Sequence, residues 1–189
     1  KKMGCTQAIY SMRRVIEQYT MNGSTVNICA LDLTKAFDKM NHYGLFIKLM
    51  KRNIPVQLLA IIEYWLRSCY TCVNWASSIS CFFKLQCGVR QGGVISPYLF
   101  AIFIDDIYIN VVNLNSGCYI NRACVSIILY ADDILLLAPS IESLQKLVTI
   151  CYTELAALDM SINGNKSVCM RIGPRFNYQC VNISIHDGQ

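Results

Sequence analysis

Tyr130-Ala131-Asp132-Asp133 sets two consecutive carboxylates between two apolar runs, residues 125–130 and 134–138. Like charges a few ångströms apart raise each other's pKa, so the pair is costly unless water or a positive charge sits on it. A divalent cation removes that cost, and hard Mg²⁺ prefers carboxylate, water and phosphate oxygens. The plainer alternative is two solvated acids in a turn. Asp105-Asp106 is a second acidic pair, but it falls inside a predicted helix. Adjacent helical residues diverge by about 100° and cannot converge on one ion, so this pair belongs to a helix surface or end.

Two further stretches carry groups of the right type. In Ala30-Leu31-Asp32-Leu33-Thr34-Lys35-Ala36-Phe37-Asp38 an apolar run ends in an acid, and Asp32 shares a strand face with Val26, Ile28 and Ala30. A lone acid at a strand end also serves as a helix cap or a surface group, and Asp38 is expected to cap the helix entering Asn41. Gly88-Val89-Arg90-Gln91-Gly92-Gly93 then leads through Ser96-Pro97 into an apolar run. Glycines there allow backbone to approach a ligand closely, while Arg90 and Gln91 offer donors to phosphate, sugar or base.

Elements must hold these groups. Ala8, Ile9, Met12, Val15, Ile16 and Tyr19 recur at helical spacing and stop at Asn22-Gly23. Residues 25–33 read as a strand, and two helices follow, through Leu49-Met50 and from Pro55 through Leu66. Runs at 70–76 and 81–87 predict a hairpin turning at Ser77-Ser78. Ser96 before Pro97 predicts a capped helix running through Ile109. The spacing around Asp132-Asp133 predicts a tight hairpin with carboxylates at its tip, Ser140 caps a helix with Leu144, Leu147, Val148, Cys151, Leu155 and Leu158 on one face, and residues 168–172 return as a strand. The order is β-α-β-β-α-β, an α+β, ferredoxin-like unit that would bring Asp32 close to Asp132 and Asp133.

Composition limits the classes. The chain has 189 residues, 54% hydrophobic and only 15% charged, which suits one packed domain and excludes disorder. The longest stretch lacking Asp, Glu, Lys and Arg is 16 residues, 68–83, rich in Ser, Thr and Asn. A spanning helix needs about 20 apolar residues, so no membrane span is expected. Residues 1–63 hold nine basic and four acidic side chains, whereas the rest of the chain is balanced; a basic first third suits a polyanion, or is simply a solvated face. Eleven scattered cysteines predict reduced, mostly buried thiols and an intracellular site, nuclear or cytoplasmic. Cys69-x2-Cys72 with Cys81 and Cys87 is not expected to bind zinc, because positions three apart on a strand point to opposite faces.

Taken in order, Asp32 with Phe37, Arg-Gln-Gly-Gly-Val-Ile-Ser-Pro-Tyr-Leu-Phe at 90–100 and Tyr-Ala-Asp-Asp at 130–133 resemble the palm of a reverse transcriptase. The likeness is to non-LTR (LINE-type) retrotransposon enzymes, with group II intron enzymes next. Asn163-x2-Lys166-Ser167 resembles the family's next motif, and residues 4–9 the passage from fingers to palm. The resemblance implies a polymerase palm with part of the fingers, residues 1–24 as the fingers-to-palm helix and 25–189 as the palm, with a helical and hairpin segment inserted at 43–88.

It also implies a reaction. Asp32 and Asp132, with the carbonyl of Leu33 and with Asp133 close by, would hold two Mg²⁺ ions, Mn²⁺ being a possible substitute, about 3.5 to 4 Å apart. An RNA template, a DNA primer and deoxynucleoside triphosphates would be the partners. Lys166 resembles the lysine proposed to protonate the pyrophosphate leaving group, or is a solvated lysine in a turn. Phe37 would lie under the nucleotide sugar and exclude a 2′-hydroxyl; Gln91 and Gly92 would contact nucleotide and template, with Arg90 beside them, and Tyr130 would support the primer end. Upstream fingers motifs, the primer-grip turn, the thumb and any endonuclease region are expected outside this chain. The rival readings are an RNA-directed RNA polymerase palm, which Phe37 and the Gln91-Gly92 context argue against, and a catalytically incompetent or repurposed fragment that binds nucleic acid.

Overall fold

The computed structural model describes residues 4–174 and 181–185 of the chain. Helix α1 (Cys5–Met21) is followed by strand β1 (Val26–Leu31), then α2 (Ala36–Lys39), α3 (His42–Lys51) and α4 (Val56–Arg67). Four two-residue strands come next: β2 (Tyr70–Thr71), β3 (Asn74–Trp75), β4 (Ser78–Ile79) and β5 (Phe83–Lys84). Helix α5 (Ser96–Asn113), β6 (Tyr119–Ile120), β7 (Ala123–Cys124), β8 (Ile127–Tyr130), β9 (Asp133–Ala138), α6 (Ile141–Ala157) and β10 (Val168–Ile172) complete the order. Among the described residues no helix is long and apolar enough to cross a membrane.

The chain divides into two compact units, Lys1–Thr34 with Ile104–Gln189, and Lys35–Phe103, the division falling within α5. In the first unit β1, β8, β9 and β10 form one antiparallel sheet ordered β10-β1-β9-β8. Strand periodicity sorts its faces. Val26 and Ile28 of β1, with Leu137 of β9, join Val15 of α1 and Cys118 in a buried cluster, edged by Met12, Ile16, Ile128 and Leu135. The opposite face carries Cys29 and Leu31, paired with Leu136 and Ile134, all buried. Helix α6 packs on β9 and β1 with Leu144, Leu147, Val148, Cys151 and Leu155 buried. Cover on both sides of β9 beyond Asp133 explains the unbroken apolar run 134–138, which needs no polar alternation. As the sequence predicts, Ser140 caps α6, its Oγ accepting the Ser143 N–H at 3.1 Å.

In the second unit α3 and α4 contact each other, and β2 pairs with β5 while β3 pairs with β4. The turn of the inner hairpin lies at Ala76-Ser77, one residue before the expected Ser77-Ser78, because Trp75 pairs with Ser78. Both turn residues take positive φ, 46° and 68°, the signature of a two-residue turn that follows strand twist. Asp38 does not cap the helix after it. It sits inside α2, and Asn41 is the cap of α3, its Oδ1 accepting from Tyr43 N at 2.9 Å and Gly44 N at 3.2 Å. Asn41 stands at the helix start, where its side-chain oxygen reaches those donors; Asp38, three residues earlier and inside α2, does not.

The expectation of mostly buried cysteines is also corrected. Of those within the described residues, Cys29, Cys118 and Cys151 are buried, whereas Cys5, Cys81, Cys87 and Cys169 are exposed. Cys180 lies outside the described residues.

Candidate active site

The acids lie at one end of the four-stranded sheet. Strand β1 ends at Leu31, which pairs with Ile134, and Tyr130 pairs with Asp133 across the β8–β9 hairpin. The connecting turn is only Ala131-Asp132, with Ala131 in the left-handed region at φ 51°. One more step of the β1–β9 register sets Asp133 opposite Asp32, on the face that carries Ala30 and Leu135. The electrostatics agree. The Asp133 carboxyl is held above the usual carboxylate range by partial desolvation, then by the negative charges of Asp132 and Asp32. Tyr130 is exposed and shares that face as the cross-strand partner of Asp133.

Main-chain contacts fix Asp32. Its C=O accepts from Asn163 N–H at 2.8 Å, and its N–H donates to Ser167 Oγ at 3.1 Å. Leu33 forms a bridge with Ile162, flanked by a bond from Thr34 N–H to Ser161 C=O at 2.9 Å. In this narrow pair the bonds are made by the flanking residues, so the Leu33 C=O points away from the bridge. Lys166 is exposed in the turn that carries these contacts, its N–H donating to Asn163 C=O at 3.2 Å.

The donor set fits a hard cation: carboxylates crowded at one strand end, with a carbonyl directed out of the ladder. Among the described residues, however, no three His, Cys, Asp or Glu side chains stand close enough to share one ion. An ion held by two carboxylates and a carbonyl needs no third such side chain, and its charge would draw the crowded acids inward.

A second group of expected residues gathers in the other unit. The rings of Phe37 and Phe100 lie 4.7 Å apart at 35°, with Phe100 buried in α5. Val89 N–H donates to Phe37 C=O and Gly88 N–H to Met40 C=O, both at 2.8 Å. His42 Nε2 meets Gly88 C=O at 2.6 Å. Gln91 Nε2 donates to Asp38 Oδ1 at 3.3 Å, so Asp38 holds the Gln91 side chain. Arg90 is exposed, and its carbonyl accepts from Ser96 Oγ at 2.7 Å. With Tyr64, Trp65 and Tyr70 it lines a cavity of about 380 Å³. Gly92 is exposed at φ 81° with open space around it.

Sequence reasoning missed Ser167, Phe100 and Asp38 as supports of Asp32, Phe37 and Gln91. Main-chain bonds and ring contacts between distant positions leave no spacing signal, although Ser167 lies within a motif already singled out.

A family model described as "Reverse transcriptase (RNA-dependent DNA polymerase)" matches residues 4–183. Among curated proteins, a Pol polyprotein from the type-1 retrotransposable element R2 of Popillia japonica is 27% identical over 78% of this chain and 25% of its own length. The RNA-directed DNA polymerase from mobile element jockey of Drosophila funebris is 30% identical over 73% of this chain and 15% of its own. The chain thus spans a quarter or less of these relatives. Apo telomerase from Candida tropicalis, truncated from its C-terminal domain, superposes with a TM-score of 0.67 at 14% identity, covering 94% of this chain and 37% of that one. Its likeness shows a mixed α/β fold of the same kind.

Proposed function

Because the chain belongs to the reverse transcriptase (RNA-dependent DNA polymerase) family, we propose that Asp32, Asp132 and Asp133 form the centre of an RNA-directed DNA polymerase of non-LTR type. The observation that supports this reading is the pairing of β1 with β9 and of β9 with β8, which sets Asp32 and the Asp132-Asp133 hairpin at the same end of one sheet. The strand order β10-β1-β9-β8, with α5 and α6 as connections, supports a ferredoxin-like βαββαβ palm over residues 25–189. In this reading residues 43–88 are inserted, and residues 1–24 lead in from the fingers.

Asp32, Asp132 and the Leu33 carbonyl would hold two Mg²⁺ ions, with Asp133 close by. Bound there, such ions lower the pKa of a primer 3′-hydroxyl and neutralise triphosphate charge. The chain's own residues then bind and orient. Phe37, backed by Phe100, presents a ring where a 2′-hydroxyl would need room, selecting deoxynucleotides. Gln91, held by Asp38, and Gly92 face nucleotide and template. Arg90, beside exposed aromatic side chains, suits a nucleic-acid strand, since cations neutralise phosphate and rings stack on bases. Tyr130 supports the primer end, and Lys166 delivers a proton to the departing pyrophosphate. In balance, the 3′-hydroxyl gives its proton to water and its oxygen bonds the α-phosphorus as the bond to pyrophosphate breaks, the leaving group taking the proton from Lys166.

Primer extension on an RNA template with deoxynucleotides and Mg²⁺, by a protein carrying this chain, tests the reading. Asp132→Asn abolishes extension while template binding persists. Loss of template binding instead would show the acid to be structural.

A further inference from the structure

We propose that Ser167 is a positioning residue for Asp32, acting through the main chain; this rests on Asp32 being a metal ligand, as proposed above. Strand β10 begins at Val168, which pairs with Ala30. Beyond that pair the chain turns away, and Asp32 has no strand residue on this edge to accept its N–H. The Ser167 hydroxyl supplies that acceptor at 3.1 Å and donates in turn to Asn163 C=O at 2.8 Å. Asn163 N–H closes the ring by donating to Asp32 C=O at 2.8 Å. Both peptide groups of Asp32 are therefore pinned, leaving only its side-chain torsions to adjust around an ion.

A hydroxyl on so short a side chain can accept and donate at once, a property that Ser shares with Thr and that Ala lacks. Alanine would leave the Asp32 N–H without its partner in a half-buried place, freeing the strand end to drift. Ligand geometry is sensitive to such supports, whose removal weakens metal binding by about 10- to 100-fold.

Mn²⁺ binding to this chain, followed by electron paramagnetic resonance of the free ion, separates the claims. Asp32→Asn should weaken binding most, Ser167→Ala by about 10-fold, and Ser167→Thr should bind as the unaltered chain does, with Ser167→Ala melting close to it. If Ser167→Ala binds normally while Asp32→Asn does not, the positioning role is wrong and the metal reading stands. If Asp32→Asn binds as tightly as the unaltered chain, the metal reading falls and this proposal with it. Should Ser167→Ala fail to fold, hydrogen exchange at the Asp32 amide of the unaltered chain decides: protection is expected, and exchange at the rate of an open amide overturns the proposal.

Discussion

Asp133 stands opposite Asp32 one step beyond the β1–β9 register, and the Asp133 carboxyl is held above its ordinary value by partial desolvation first, then by the negative charges of Asp132 and Asp32. The sign of the consequence follows from linkage. A carboxyl raised in the folded state penalises folding where it is ionised, above its folded pKa; the penalty disappears below the pKa of the unfolded chain. Asp133→Asn should therefore raise the melting temperature in metal-free buffer at neutral pH, with the gain fading as pH falls through the carboxylate range. A gain that is independent of pH would contradict the charge account.

Phe37 stands against Phe100 at 4.7 Å, a contact that fixes its ring. Phe37→Val is expected to raise ribonucleotide incorporation relative to deoxynucleotide by about 10-fold or more, in single-nucleotide extension assays. An unchanged ratio removes the sugar-gate assignment.

Gly88 and Gly92 have similar φ, 80° and 81°, but different surroundings. A Cβ on Gly88 would meet Asp38 O at 2.6 Å, whereas one on Gly92 would meet nothing within 4 Å. Gly92→Ala should cost only the left-handed backbone term, about 1 to 2 kcal/mol. Gly88→Ala adds a clash with main chain, so chemical denaturation should find it the less stable of the two.

Cys169 pairs with Cys29 across β1 and β10. A hydrogen bond from Cys29 lowers the Cys169 thiol to about 7, while Cys29 is pushed up by that same bond and by burial. At pH 7 iodoacetamide should label Cys169 ahead of the exposed Cys5, Cys81 and Cys87. Cys29→Ala should slow that labelling, and mass spectrometry of the digested peptides reads both outcomes.

Much of the fold is legible in the residue pattern because local rules and tertiary packing agree there. Helix α6, with its Ser140 cap and apolar stripe, and the hairpin around Asp132 are cases in point. Legibility fails where two solutions are locally equal. Asp38 and Asn41 are both competent caps, and only the path of α2 decides between them. Cysteine type says little about exposure when a thiol can sit on either face of an edge strand, as Cys169 does. Of the candidate site, Asp32, Asp132 and Asp133 are singled out in the sequence only by their order within the family resemblance, because taken alone two acids in a turn and one at a strand end read equally as solvated groups or caps. The support given by Ser167 is not legible there, because it acts on a peptide group 135 positions away, and every residue has a peptide group.

The sheet places β1, near the start of the chain, between β9 and β10, so the strand that leads into Asp32 waits for neighbours made more than a hundred residues later. Long loops must close before those pairings return any energy, which makes such assembly slow. On a ribosome, the aspartates would remain scattered until β9, ending at Ala138, had emerged. A polypeptide cut short before that point could keep all three acids and still lack the place where they gather.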